Sequence, residues 1–187
     1  MTELLQCLKS LTSLFDAMGL TYAVMGGLAV RIYGISRPTF DIDITVAVDP
    51  ANVPQILDAV KRLGFVANEI YDRGWVARVA GMPIVKIQSC TGNHIIDVDL
   101  FFAESAFQIQ LLSRRRKAQA NGFSTWFVSP EDLVLLKLLA SRPRDLGDVG
   151  DILFMQGQLD DDHMRRWAKE LKIAEKLEQV LAEHRER

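Results

Sequence analysis

The sequence predicts an α+β (mixed α/β) fold in which a mixed sheet is flanked and followed by helices. Short runs rich in β-branched residues recur through the first 128 residues, and only helical patterns come after them. A chain of 187 residues has the size of about one domain and is long enough to bury a stable core. We therefore expect a core at 1–128 and a C-terminal helical region at 129–187 packed on it.

The first third of the chain alternates helices with strands. Apolar residues at three- and four-residue intervals predict a helix over 3–18, which ends at Gly19. A short apolar run predicts a strand over 21–25, and Gly26-Gly27 is expected to break it before a helix over 28–33. The elements predicted next are a loop at 34–38, a strand at 40–48, a helix at 53–63, and three strand-like runs near 65–70, 74–80 and 83–89.

The clearest strand pattern lies at 93–102, where apolar residues surround two aspartates, and this strand is expected to be central in the sheet. A helical segment containing Arg114-Arg115-Arg116-Lys117 and a strand over 123–128 are predicted to follow. The remaining predicted elements are helices at about 130–141, 144–156, 160–171 and 173–185. Ser129 is the expected N-cap of the first of these, with Pro130 in its first turn and Asp132 as a capping-box acid.

Composition and charge are those of an ordinary globular protein. Hydrophobic residues make up 49% and charged residues 25%, and the net charge of -2 gives no reason to expect bulk binding of polyanions. The absence of a leader pattern and of any run of about 18 apolar residues predicts a cytoplasmic protein without membrane contact. Cys7 and Cys90 lack the spacing of a disulfide framework or metal site, so we expect two unbridged thiols.

Asp41-Ile42-Asp43 is the sharpest chemical signal in the sequence. On a strand, alternate residues share a face, so the two carboxylates would stand side by side with their Cα atoms roughly 6–7 Å apart. Such a pair is unfavourable unless a cation lies between the charges, which points to a hard divalent ion such as Mg²⁺. An exposed strand whose polar face is merely acidic is the alternative.

Asp97-Val98-Asp99 repeats the same spacing on a strand that is too apolar for a solvent-facing edge. If this strand lies beside the first, three or four carboxylates converge, as in the two-metal sites of phosphoryl transfer. The alternative is a single ion pair with an arginine such as Arg37 or Arg78. Gly26-Gly27 between a strand and a helix suits phosphate binding, although ordinary turns use the same pair.

Taken together, these motifs resemble a known superfamily. Gly26-Gly27, the segment Arg37-Pro38-Thr39-Phe40-Asp41-Ile42-Asp43, and Asp99-Leu100-Phe101-Phe102 resemble the signature of polymerase-beta-type nucleotidyltransferases. Within that superfamily the chain is most similar to the AbiEii-like group, which includes type IV toxin–antitoxin toxins. The segments 129–133, 137–142 and 144–146 resemble the helical part of the same group, so the likeness covers roughly residues 20–155. Many superfamily members have Gly-Ser where this chain has Gly-Gly.

The resemblance implies a polymerase-beta-like fold and assigns roles by position. Asp41 and Asp43 would be the catalytic metal ligands for two Mg²⁺ ions, and Asp99 would be the third carboxylate. Asp99 is preferred to Asp97 because the apolar run that follows the family's aspartate follows Asp99 here. The predicted nucleotide-binding residues are Gly26, Gly27, Arg37, Thr39, Lys137 and Asp145.

Lys137 lies on an otherwise apolar helix, where its ammonium group either reaches solvent or points into the cleft. In the second case it would contact the triphosphate, with Asp145 orienting it. Asp148 and Asp151 continue the spacing from Asp145, which favours a solvated helix face. The basic run at 114–117 is interpreted as a solvated helix surface, or else as a patch that steers RNA. The histidines His94, His163 and His184 receive no role.

The activity implied by the resemblance is Mg²⁺-dependent transfer of a nucleoside monophosphate from an NTP to a hydroxyl acceptor. The acceptor would be RNA such as tRNA, or a protein side chain, and the chain could then act as a type IV toxin with an antitoxin partner. One alternative is a small-molecule, aminoglycoside-type nucleotidyltransferase. Another is a catalytically inactive nucleotide-binding or antitoxin-like protein.

Overall fold

The computed structural model describes residues 2–73, 76–79, 81–89 and 94–185. The helices are α1 (Glu3–Ala17), α2 (Gly26–Tyr33), α3 (Val53–Arg62), α4 (Ala106–Ser113), α5 (Pro130–Ala140), α6 (Pro143–Gln156), α7 (Asp161–Glu170) and α8 (Ala174–Arg185). The strands are β1 (Thr21–Met25), β2 (Asp41–Ala47), β3 (Phe65–Ala67), β4 (Ala77–Val79), β5 (Met82–Ser89), β6 (Ile96–Phe102), β7 (Arg116–Ala120) and β8 (Phe123–Phe127). Short 3₁₀ helices occupy Pro50–Asn52 and Glu69–Arg73.

One mixed sheet runs through the protein in the order β3-β5-β6-β2-β1-β8-β7, with β4 paired to β5. The β2–β6 and β1–β8 pairs are parallel, whereas β1–β2, β5–β6 and β7–β8 are antiparallel. The central strands β1, β2 and β6 are built mostly from buried apolar residues. The predicted mixed sheet with flanking helices is therefore confirmed. The strand predicted at 93–102 is central as expected, but it begins only at Ile96, and Asn93 lies outside the described residues.

Helix α5 joins the C-terminal helices to the sheet. It packs against α2, which follows β1, and also against α6, α7 and α8. Nine of its residues are buried, among them the charged Lys137. Ser129 caps this helix as predicted, because its side-chain oxygen accepts a hydrogen bond from the backbone N–H of Asp132. The division into a core at 1–128 and a helical region at 129–187 stays a prediction.

Two of the predicted boundaries and one predicted capping contact are wrong. Helix α2 begins at Gly26 rather than at 28, because Gly26 adopts φ +63° and lets the chain pass from β1 directly into the helix. Strand β3 ends at Ala67 instead of continuing to 70, because the Asn68 side chain accepts a hydrogen bond from the Ile70 N–H and starts a turn. Asp132 closes no capping box, since its carboxylate instead bonds to the Ser129 hydroxyl and to His163.

The predicted helical segment around 114–117 is also wrong. Helix α4 ends at Ser113, and Arg116 and Lys117 belong to strand β7. The cause lies downstream, at Asn121-Gly122, where both residues have positive φ (46° and 99°). Such a two-residue turn matches the twist of paired strands, and it fixes β7 against β8.

Two further expectations concern cysteines and membranes. Cys7 is buried and unbridged, as predicted, and burial raises the pKa of its thiol to about 11. Cys90 lies outside the described residues. Within the described ranges, every helix is too short or too polar to cross a bilayer.

Candidate active site

The four aspartates of the two predicted motifs lie next to one another in the sheet. Because β2 and β6 are adjacent and parallel, Asp41 is in register with Asp97 and Asp43 with Asp99. Asp41, Asp43 and Asp99 line one cleft of ≈ 680 Å³, and Asp97 does not. Asp97 is exposed and accepts a hydrogen bond of 2.7 Å from the Gln88 amide. The placement thus favours Asp99 over Asp97 as the third carboxylate of the cleft.

Each carboxylate in the cleft has a different environment. Asp41 accepts a hydrogen bond of 2.8 Å from the Thr39 hydroxyl, and Asp99 accepts two from the Lys86 ammonium at 2.8 and 2.9 Å. Among the described residues, Asp43 receives no hydrogen bond or ion pair. Burial raises the pKa of Asp43 to about 7, and the charges of Asp41 and Asp99 add to this, although Lys137 opposes it.

The donor set fits a divalent cation with oxygen ligands. Asp43 is partly buried and lacks a donor, and both neighbouring carboxylates oppose its ionisation. A hard cation would compensate the charges of Asp41 and Asp43, which no ammonium or guanidinium group of the described residues contacts. Within the described ranges, no group of three His, Cys, Asp or Glu side chains is arranged as a ready-made metal site.

The glycines bring the first turn of α2 against the carboxylates. A Cβ atom on Gly26 would lie 1.8 Å from Asp43 Oδ2, and one on Gly27 would lie 2.3 Å from Thr39 Oγ1. Both glycines line the cleft. The free N–H groups at a helix start favour an anion, so this turn is suited to hold phosphate oxygens beside Asp43.

Lys137 does not reach solvent, because it is only 7% exposed. Its ammonium group lies 2.8 Å from Asp145 Oδ1 and 2.8 Å from Asp148 Oδ2, in the wall of the same cleft. Asp145 is therefore its partner, as the sequence predicts. The proposed contact of Lys137 with the triphosphate stays a prediction.

Asp148 was expected on a solvated helix face, and this prediction is wrong. Its side chain is 2% exposed and accepts hydrogen bonds from Arg37 Nε at 2.6 Å and Nη2 at 2.8 Å. Burial alone would raise the pKa of Asp148, but the hydrogen bonds from Arg37 and Lys137 outweigh it and hold the pKa below its ordinary value. Arg37 thus pairs with Asp148 on α6. The ion pair of Arg37 with Asp97 or Asp99, which the sequence left open as an alternative, does not form.

The sequence matches the family of nucleotidyltransferases of unknown function (DUF6036) over residues 2–184. The chain belongs to this family. No curated protein matches it in a sequence search.

Solved structures show that this nucleotidyltransferase shares its fold with distant proteins. It is similar to ANT(2″)-Ia in complex with adenylyl-2″-tobramycin, with a TM-score of 0.58 and 15% identity over 100% of this chain and 99% of that one. It is similar to the lincosamide antibiotic adenylyltransferase LnuA, lincomycin-bound (TM-score 0.50, 15% identity, 81% and 96% coverage). The Thermotoga maritima protein TM1012 matches at a TM-score of 0.52 and 13% identity, over 89% and 92% of the two chains. At these identities the likeness concerns the fold alone.

The basic run of this nucleotidyltransferase is neither helical nor part of the cleft lining. Arg114 lies 3.6–3.8 Å from carboxylate oxygens of Glu131, Asp132 and Asp160, and Arg116 pairs with Glu131 at 3.2 Å. Arg115 and Lys117 lie over the Trp126 ring, 4.6 and 5.6 Å from its centroid. These contacts tie β7 to α5 and β8, so the run contributes to packing.

Sequence reasoning missed two charged residues of the site, Lys86 and Asp148. Lys86 lies between buried residues on β5, a pattern that indicates only a strand residue facing solvent. Its role depends on the β5–β6 register, which puts it opposite Asp99. His163 received no role and lies outside the cleft lining, where its Nε2 is 2.7 Å from Asp132 Oδ1 in a buried contact between α5 and α7.

Replacing Asp148 with alanine is expected to destabilise the nucleotidyltransferase by about 3 kcal/mol, because removing one member of a buried ion cluster leaves charges without their counter-ion. Arg37 and Lys137 would both lose a partner. Urea unfolding at neutral pH measures the effect, with Asp151→Ala as the matched control, because Asp151 lies one turn further along α6 and is only partly buried. Equal stability losses in the two variants would contradict the structural role of Asp148.

Proposed function

We propose that this protein is a Mg²⁺-dependent enzyme that transfers a nucleoside monophosphate from an NTP to a hydroxyl group. The observation that carries the proposal is the meeting of Asp41, Asp43 and Asp99 on adjacent strands, in one cleft with the glycine turn of α2. Crowded carboxylates beside a phosphate-binding turn are what metal-assisted phosphoryl transfer requires.

The three carboxylates, the two glycines and Lys137 each have a role in this chemistry. Asp41 and Asp43 would hold Mg²⁺, which when bound neutralises charge on the phosphate oxygens. The backbone N–H groups at Gly26-Gly27 would donate to the triphosphate, and Lys137 would offset its charge from the cleft wall. Asp99 would either hold the second ion or take the proton of the acceptor hydroxyl.

The bonding change is a single displacement. The acceptor oxygen forms a bond to the α-phosphorus, the bond from that phosphorus to the pyrophosphate oxygen breaks, and the hydroxyl proton leaves to a base. Positioning and electrostatic stabilisation supply most of the acceleration in such reactions, so few protein groups are needed.

The acceptor in this proposal is RNA such as tRNA, or a protein side chain, as expected for an AbiEii-like toxin with an antitoxin partner. Arg142 and Arg144 support a polyanionic acceptor, since both are exposed and both line the cleft. Arg142 pairs with Asp145 at 3.1 Å and keeps 75% of its side chain exposed, so it remains accessible to an incoming phosphate.

A small-molecule acceptor is the second candidate. It is favoured by the fold likeness to ANT(2″)-Ia along the whole chain and to LnuA, whose structures contain an adenylylated aminoglycoside and lincomycin. The apolar part of the cleft wall, at Leu133, Leu136, Leu139 and Val79, would suit the non-polar face of such a molecule. An inactive nucleotide-binding or antitoxin-like protein is disfavoured, because without catalysis the crowded carboxylates are a cost with no use.

The test is to incubate the purified protein with each α-labelled NTP, Mg²⁺, and separate pools of total RNA, extract proteins, and aminoglycosides or lincosamides. We expect label in the RNA or protein pool and its loss on addition of EDTA. Label confined to the antibiotics would establish the second candidate instead. If no pool takes up label with any NTP, the proposed activity is contradicted.

A further inference from the structure

Lys86 projects from β5 into the cleft and is the residue that holds Asp99. Its ammonium group contacts both carboxylate oxygens of Asp99, at 2.8 and 2.9 Å. The antiparallel β5–β6 register places the two residues directly opposite each other, so the contact is built into the strand pairing. Both residues line the cleft.

The other cleft carboxylates of β2 are treated differently. Asp41 receives a hydrogen bond from a neutral hydroxyl, and Asp43 receives none from the described residues. The buried Lys137, which also lines the cleft, pairs with Asp145 and Asp148 on α6. Asp99 is therefore the carboxylate of the three whose charge is already balanced by a side chain.

The ammonium group of Lys86 contacts both oxygens of Asp99, so its charge repels a divalent cation that approaches the same oxygens. Lys86 and the cation therefore compete for Asp99. The ion pair is weak enough to yield, because the Lys86 side chain is 59% exposed and exposed pairs are screened by water. The flexible stem of Lys86 lets the ammonium group move towards other anions in the cleft after it is displaced.

We propose that Lys86 is a tethered counter-ion that competes with the second divalent cation at Asp99. Asp41 and Asp43, which pair with no cationic side chain of the described residues, take the first metal ion. Asp99 becomes available when an incoming triphosphate draws Lys86 away. Lys86 is a positioning residue that makes metal loading depend on the nucleotide. This inference rests on the proposed function, since it concerns the same metal site.

The test measures metal binding rather than turnover. Mn²⁺ is titrated into the full chain, with and without a non-hydrolysable NTP analogue, and free Mn²⁺ is followed by electron paramagnetic resonance. In the absence of nucleotide, Lys86→Met should strengthen the weaker Mn²⁺ site about fivefold, the order expected for release of an exposed ion pair. Lys86→Arg should resemble the wild type, and the analogue should reduce the difference between wild type and Lys86→Met.

Lys9→Met is the control for net charge, because Lys9 is exposed on α1 and does not line the cleft. The inference is overturned if Lys86→Met and Lys9→Met change Mn²⁺ affinity equally, or if neither changes it. Asp99→Asn provides a second check, since in that background Lys86→Met should have no further effect. If the wild type binds no Mn²⁺ with or without the analogue, the proposed function fails as well, whereas normal Mn²⁺ binding without a Lys86 effect overturns the inference alone.

Discussion

Replacing Asp43 with asparagine is expected to reduce nucleotide transfer at least about a thousandfold, because loss of a central catalytic group costs that much or more in other enzymes. The same change should stabilise the metal-free protein. Asp43 lacks a donor among the described residues, and its ionisation is opposed by burial and by Asp41 and Asp99. A neutral amide of the same shape removes that opposition.

The stabilisation should depend on pH in a defined direction. The pKa of Asp43 is raised from 3.8 to about 7 on folding. Between these values the folded protein keeps a proton that the unfolded chain has lost, so the contribution of Asp43 to stability falls as pH rises from about 4 to about 7. The asparagine variant lacks this group and should lose less stability over the same interval.

Urea unfolding in EDTA between pH 4 and pH 8, paired with the transfer assay, measures both effects. Asp97→Asn is the matched control, because Asp97 lies on the neighbouring strand, receives a hydrogen bond from Gln88 and stays outside the cleft. If the free energy of unfolding depends on pH equally in wild type and in Asp43→Asn, the raised pKa of Asp43 is contradicted. Retained transfer in Asp43→Asn would argue against its catalytic role.

Gly26→Ala is expected to have the second large effect. A Cβ at this position would lie 1.8 Å from Asp43 Oδ2. The backbone of Gly26 also has φ +63°, a value that residues other than glycine rarely adopt. The carboxylate must move away, and displacement of a catalytic group by about 1 Å can cost about a hundredfold in rate. We expect a comparable loss of transfer together with a loss of stability.

Gly19→Ala separates the backbone effect from the clash. Gly19 has nearly the same φ, +66°, but nothing lies within 4 Å of the added Cβ. The Gly19→Ala substitution should lower the free energy of unfolding by roughly 1–2 kcal/mol, because alanine is strained in the left-handed conformation, and it should leave nucleotide transfer unchanged. If both variants lose stability equally and Gly26→Ala keeps full activity, the contact with Asp43 does not control the site.

Local patterns predicted the acidic faces of β2 and β6 correctly but missed strand β7, because alternation along a strand is a property of adjacent residues whereas hairpin pairing is not. The side-by-side placement of Asp41 and Asp43 follows from that alternation alone. The neighbouring position of Asp99 was conditional on strand order, which the sequence does not specify. The parallel β2–β6 pairing supplies it.

The missed features depend on contacts between distant segments. Asp148 lies three residues after Asp145, a spacing that solvated helices also use. It becomes a buried ion-pair member through Lys137 on α5 and through Arg37, which is 111 residues away in the sequence. The role of Lys86 likewise depends on its contact with Asp99, which is 13 residues away in the sequence and lies on the neighbouring strand. By contrast, the Asn121-Gly122 turn was visible as a dipeptide typical of hairpins, and the helical interpretation of 114–117 overlooked it.

The absent side chain of Gly27 has a consequence for how this site can vary. Thr39 Oγ1 fills the space where a residue-27 side chain would begin, and it bonds to Asp41 from there. The space beside Asp41 therefore has room for one hydroxyl group, which can come either from position 27 on α2 or from position 39 in the loop before β2. A serine at position 27 would require a residue without a hydroxyl at position 39, so we expect the two positions to change together.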